Sequence, residues 1–87
     1  MALYFMSCDL RKQQDYQPLY DELKKIQAVK IMESTYCFNM HNTSCAVLMD
    51  HFKEFIDYED GVIVYAVANW TSRFMKKTPN DLARLKH

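Results

Sequence analysis

The 87-residue chain has the length of one small domain, which excludes a multidomain enzyme. Hydrophobic residues make up 49% and charged residues 25%, with one Gly and two Pro, a profile that excludes disordered and fibrous chains. The formal net charge is zero but divided: residues 1–69 hold six Lys/Arg against ten Asp/Glu, and residues 70–87 hold five against one.

Leu3-Tyr4-Phe5-Met6-Ser7-Cys8 is a short apolar run that gives way to a polar stretch from Asp9 to Asp15, which predicts a buried strand and a loop. Pro18 then stands where a first helical residue belongs. Leu19, Leu23 and Ile26 follow at helical spacing, with Lys24 and Lys25 at the end where the helix dipole favours cations. These residues predict an amphipathic helix.

From Ala28 to Met40 the pattern is extended, but its parity changes between Val29-Lys30-Ile31 and Tyr36-Cys37-Phe38. A bend, bulge or tight turn near Glu33-Ser34 must separate two short strands or break a single one. Asn42-Thr43-Ser44 supplies N-cap candidates for a second helix carrying Cys45, Leu48, Phe52, Phe55 and Ile56. Asp60-Gly61 signals a turn into Val62-Ile63-Val64-Tyr65-Ala66-Val67, a β-branched strand. Thr78-Pro79-Asn80-Asp81 then offers a cap, a first-turn proline and an acid for a short terminal helix over 79–86.

The order strand, helix, strand, strand, helix, strand predicts an α+β fold of the ferredoxin-like βαββαβ kind over residues 1–69, followed by a basic tail over 70–87. Two helices would cover one face of a four-stranded antiparallel sheet. The first and last strands carry large apolar residues at both parities, so something must also cover the opposite face. A homodimer packed sheet to sheet is the expected solution, with the tail as an exchanged or covering element.

The longest apolar runs, residues 2–6 and 62–68, fall short of the ~20 residues needed to span a bilayer. The N-terminus has no basic n-region and only a brief apolar stretch, so a cytoplasmic location without membrane association is expected. Three cysteines, Cys8, Cys37 and Cys45, form no Cys-x-x-Cys pair and read as buried thiols rather than a disulfide framework or zinc site.

A strand closing on an aspartate in Tyr4-Phe5-Met6-Ser7-Cys8-Asp9-Leu10, a helix, an extended segment holding Glu33-Ser34-Thr35-Tyr36, a second helix and a Val-rich strand stand in one order. Over roughly residues 2–67 this resembles the CRISPR-associated protein two family and its stand-alone relatives, which are ferredoxin-like. The resemblance implies a homodimer in which Asp9 faces its symmetry mate. In family members with nuclease activity, such a pair holds Mg²⁺ or Mn²⁺ and activates water for phosphodiester cleavage of RNA or DNA. Other members bind DNA as a structural bridge without cleaving it, so fold alone does not decide the function. The acidic body and the tail depart from the family pattern and point towards a stand-alone relative in a defence-related or mobile-element setting.

Asp9 is thus the candidate catalytic and metal-ligating residue, through hard carboxylate oxygens duplicated by symmetry. Its plain alternative is a turn-forming Asp bonded to the loop near Arg11. Arg11 and Lys12 could hold a phosphate or form a solvated loop, Ser34 could donate to phosphate, and Tyr36 could stack or pack in the core. His41, His51 and His87 are scattered and read as surface residues. Arg73, Lys76, Lys77, Arg84 and Lys86, interleaved with Trp70 and Phe74, have the basic and aromatic mixture that binds single-stranded nucleic acid. The same tail could dock on the acidic cluster Glu54, Asp57, Glu59 and Asp60 of a second subunit. The leading expectation is a nucleic-acid-binding homodimer, a metal-dependent endonuclease if Asp9 is catalytic. The alternative is a non-catalytic protein-interaction module, such as a phage or mobile-element inhibitor of a defence complex. A small nucleotide at a dimer cleft is a third class, and no Gly-rich phosphate loop supports it.

Overall fold

The computed structural model describes residues 2–11 and 15–85, with side chains described as far as Leu82. In chain order it contains β1 (Ala2–Asp9), α1 (Gln17–Lys25), β2 (Val29–Met32), β3 (Thr35–Met40), α2 (Cys45–Phe52), a 3₁₀ turn (Lys53–Phe55), β4 (Gly61–Val67) and α3 (Asn80–Leu85). The strands form one antiparallel sheet of order β2-β3-β1-β4. This is a small α+β domain with an open four-stranded sheet, and β1 and β3 are its central strands.

Local chemistry accounts for the helix limits. Pro18 sits in the first turn of α1, where a missing N–H costs nothing. At the other end Gln27 takes φ 59°, and the N–H groups of Gln27 and Ala28 donate to the carbonyls of Lys24 and Leu23 at 3.0 and 2.9 Å. These paired bonds satisfy the last orphan carbonyls and turn the chain directly into β2. Ser44 caps α2 by accepting the Val47 N–H at 3.3 Å. The regular helix stops at Phe52 and tightens into the 3₁₀ turn, so Phe55 and Ile56, expected on the α-helix, lie beyond it.

The sheet register sorts the apolar residues into two faces. Tyr4, Met6 and Cys8 of β1 lie beside Phe38 and Tyr36 of β3 and Val64 and Val62 of β4. Leu19 and Leu23 of α1 and Leu48 and Phe52 of α2 pack on this face to form the core, in which Met6 and Phe38 are wholly buried. Phe38 meets the Phe52 ring edge-on at 5.8 Å and stacks on the Tyr4 ring at 6.1 Å, geometry that adds to the area it buries. The parity change predicted before Tyr36 is a register shift between Lys30 and Met32 opposite β3. Glu33-Ser34 forms the turn between the two strands, as the sequence suggested.

The opposite face presents Leu3, Phe5, Cys37, Tyr65 and Val67. Part of it is covered by the chain itself. After β4 the segment 70–79 runs as a strap whose Trp70, Met75 and Pro79 border a cavity floored by Phe5 and Ile31. Leu82 of α3 is buried and Cys37 has no exposed surface, although Cys37 faces away from the two long helices. Thr78 and Asp81 set the start of α3, where the Asp81 carboxylate accepts the Thr78 N–H at 2.9 Å and Thr78 Oγ1 accepts the Asn80 N–H at 3.2 Å. Elsewhere on this face Ser7 Oγ lies 2.9 Å from Thr35 Oγ1 and 3.3 Å from the Tyr65 hydroxyl, while Ile63 stays more than half exposed. No helix among the described residues is long and apolar enough to cross a membrane.

Candidate functional site

Asp9 ends β1 opposite Gly61, at the corner where the loop before α1 meets the loop before β4. Its Oδ2 accepts from Arg11 Nε at 3.0 Å, with both side chains largely exposed. Arg11 does more than pair with Asp9. Its Nη1 donates to the Glu59 carbonyl at 2.9 Å and its backbone N–H donates to Asp60 Oδ1 at 2.7 Å. Asp60 Oδ2 accepts the Tyr16 hydroxyl at 2.7 Å and the Asp57 N–H at 2.9 Å. Asp60 therefore joins three stretches of chain, and Tyr16, although buried, has its hydroxyl satisfied.

Gly61 completes this corner by lacking a side chain. A Cβ there would stand 3.2 Å from Arg11 Nη2 and 3.4 Å from Asp9 Cβ, so the guanidinium crosses over the glycine. The Asp-Gly pair thus serves close approach as well as the turn that the sequence signalled. Asp57 and Glu59 belong to the same turn, since the Glu59 N–H donates to Asp57 Oδ1 at 3.0 Å and the Asp60 N–H to the Asp57 carbonyl at 2.9 Å.

Ser34 reaches the same end of the sheet through its backbone, its carbonyl accepting the Cys8 N–H at 3.0 Å, while the residue itself is exposed. Lys12 lies outside the described residues, as do Lys86 and His87. Burial, followed by the nearby Asp60 and Asp9 carboxylates, pushes the Cys8 thiol above its ordinary pKa, with Lys30 opposing the shift. A thiolate nucleophile is disfavoured at that position. Tyr36 is half-buried and its hydroxyl is likewise raised, chiefly by burial, in keeping with a packing role. Among the described residues no three His, Cys, Asp or Glu side chains are grouped to hold a metal ion.

Arg73, Lys76 and Lys77 lie on the strap and are all exposed. Between them Phe74 is 92% exposed and held at φ 58°, a conformation that costs a residue with a Cβ about 1–2 kcal/mol. The Arg73 guanidinium lies over the Phe74 ring at 4.8 Å. The structure thus gathers Asp9, Arg11 and Ser34 at one end of the sheet and sets Arg73, Lys76 and Lys77 on the strap that follows β4. Two features escaped sequence reasoning. The Asp60 hub joins residues more than forty positions apart, and His51 lies 2.8 Å from Glu22, a contact from α2 to α1 that spacing within one helix cannot reveal.

No protein-family model matches the chain, and no solved structure matches it.

Proposed function

We propose that this is a ferredoxin-like domain that binds single-stranded nucleic acid through its strap. The element order and the strand order β2-β3-β1-β4 support the split βαβ reading. The observation that carries the binding reading is Phe74, displayed almost wholly to solvent in a costly backbone conformation between Arg73 and the Lys76-Lys77 pair. Strained backbone that displays an apolar ring points to a contact made with something else. A ring offers a stacking surface to any base, and the flanking cations meet the phosphates.

The test is fluorescence anisotropy with labelled single-stranded RNA and DNA over a salt series. Changing Arg73, Lys76 and Lys77 together to Ala should lower the magnitude of the logarithmic salt slope by about 2, and Phe74→Ala should weaken binding by roughly tenfold at fixed salt. Wild-type protein that binds neither nucleic acid at low salt sinks the reading and turns the search towards the non-catalytic protein-interaction module.

A second reading adds cleavage to binding. Asp9 lies at the exposed end of β1 with its side chain 69% accessible, where a second copy could bring its own Asp9 alongside. Two such carboxylates would hold Mg²⁺ or Mn²⁺ in the homodimer that the resemblance to the CRISPR-associated protein two family implies, in a defence-related setting. Arg11 must then release or share Asp9, because its Nε already occupies Oδ2. Substrate incubated with Mg²⁺, Mn²⁺ or EDTA should be cleaved only with metal and not by Asp9→Ala; cleavage that survives that substitution removes the reading.

A further inference from the structure

Between the strap and the sheet lies a cavity of about 220 Å³, and we infer that it receives one nucleobase of the bound strand, with the attached phosphate on Arg73 and Lys77. The inference rests on the binding reading above and deepens it from a surface to a pocket.

Three observations favour this occupant. Phe5, Trp70 and Met75, all half-buried, give the cavity aromatic and thioether walls suited to a flat ring. Arg73 and Lys77 line the same cavity but are exposed, so positive charge stands where it opens to solvent. An apolar interior with cations at its opening complements a base carrying a phosphate. The volume suits a small flat ring better than drug-sized molecules, which fill pockets of about 300–1,000 Å³. Ser72 also borders the space and supplies a small hydroxyl where a larger side chain would fill it.

Phe74 and this pocket divide the work. Phe74 points outward and can stack a neighbouring base, while the cavity takes a base inward between strap and sheet. The inference therefore predicts that a lone nucleotide binds, which an open stacking platform does not require.

Trp70 is the only tryptophan in the chain, so its fluorescence reports occupancy without a label. Wild-type protein is titrated with the four ribonucleoside 5′-monophosphates, with the corresponding nucleosides and with inorganic phosphate. At least one monophosphate should quench Trp70 saturably and bind about tenfold more tightly than its nucleoside. Ser72→Phe should abolish the quenching while circular dichroism and the melting temperature stay those of the wild type. Lys77→Ala, at an exposed position with no burden on folding, should weaken the monophosphate without weakening the nucleoside. Equal quenching by inorganic phosphate alone overturns the base pocket. Oligonucleotides that bind wild type and Ser72→Phe alike, with no response to mononucleotides, overturn the pocket and leave the surface reading intact. Absence of binding by oligonucleotides and mononucleotides overturns both.

Discussion

Arg11 and Asp60, 49 positions apart, are joined by a 2.7 Å bond from the Arg11 backbone N–H to the Asp60 carboxylate. The same carboxylate holds the Tyr16 hydroxyl and the Asp57 N–H, so one side chain fastens the loop before α1 to the turn before β4. Asp60→Ala leaves three donors without their charged acceptor. A loss of about 2–3 kcal/mol is expected, seen as a fall in melting temperature of roughly 10–20 °C. A loss under about 0.5 kcal/mol would assign the corner no structural role.

Gly61 and Arg11 should behave as a coupled pair. In the wild-type background Gly61→Ala pushes a Cβ against the guanidinium that Asp9 and Glu59 hold, and destabilises the domain. Once Arg11→Ala has cleared that space, the same substitution should become neutral or stabilising by up to about 1 kcal/mol, because glycine is costly inside a strand. A double-mutant cycle by urea unfolding reads the coupling; additive effects would show that the close approach carries no energy.

Cys37 links the covering of the second face to pH. Burial, and secondarily Asp81, raise its thiol from 9.0 to about 11, with a hydrogen bond from the Val29 backbone opposing the shift. The folded chain thus keeps the proton while the unfolded chain gives it up. Stability is full below pH 9 and falls towards pH 11, at about 1.4 kcal/mol per pH unit. Cys8 and Tyr36, also raised, add to the same slope. Cys37→Ala should flatten the decline measured by urea unfolding between pH 8.5 and 11; an unchanged slope would remove Cys37 from the account. With a thiol reagent at pH 8, half-buried Cys45 should react first in the wild type. Leu82→Ala, by loosening α3, should make Cys37 react as well.

Phe74 offers a test that separates folding from the proposed binding. Glycine accepts φ 58° without the steric cost that phenylalanine meets, and the ring it replaces is almost fully exposed. Phe74→Gly should leave the melting temperature unchanged or raise it slightly, while nucleic-acid affinity falls by roughly tenfold. Lost stability with unchanged affinity would assign the ring to packing instead.

The elements were readable where a single local rule decides them. Pro18 marks the start of α1, Ser44 caps α2, and the parity change between Ile31 and Tyr36 becomes the irregular pairing of β2 with β3. The need to cover a second apolar face was also visible in β1 and β4. The tail reads from sequence as an exchanged or covering element, but that it covers part of the face within its own chain is not decided there, since short aromatic and basic segments carry no periodicity that names their target. The carboxylates around Asp57 and Asp60 were legible only as an acidic cluster, because charge counts do not show which of them already receive backbone N–H groups. His51 read as isolated because its partner Glu22 comes from another helix.

The strap follows every strand it covers, and this order bears on truncation. Residues 2–67 hold all four strands and both helices of the core face, whereas the cover around Trp70 and Leu82 comes after them in the chain. Without that cover Phe5 and Cys37 would lie on a bare sheet face, next to the uncharged edge strand β4. A chain cut after β4 should therefore self-associate, because exposed apolar surface and an unpaired edge favour aggregation.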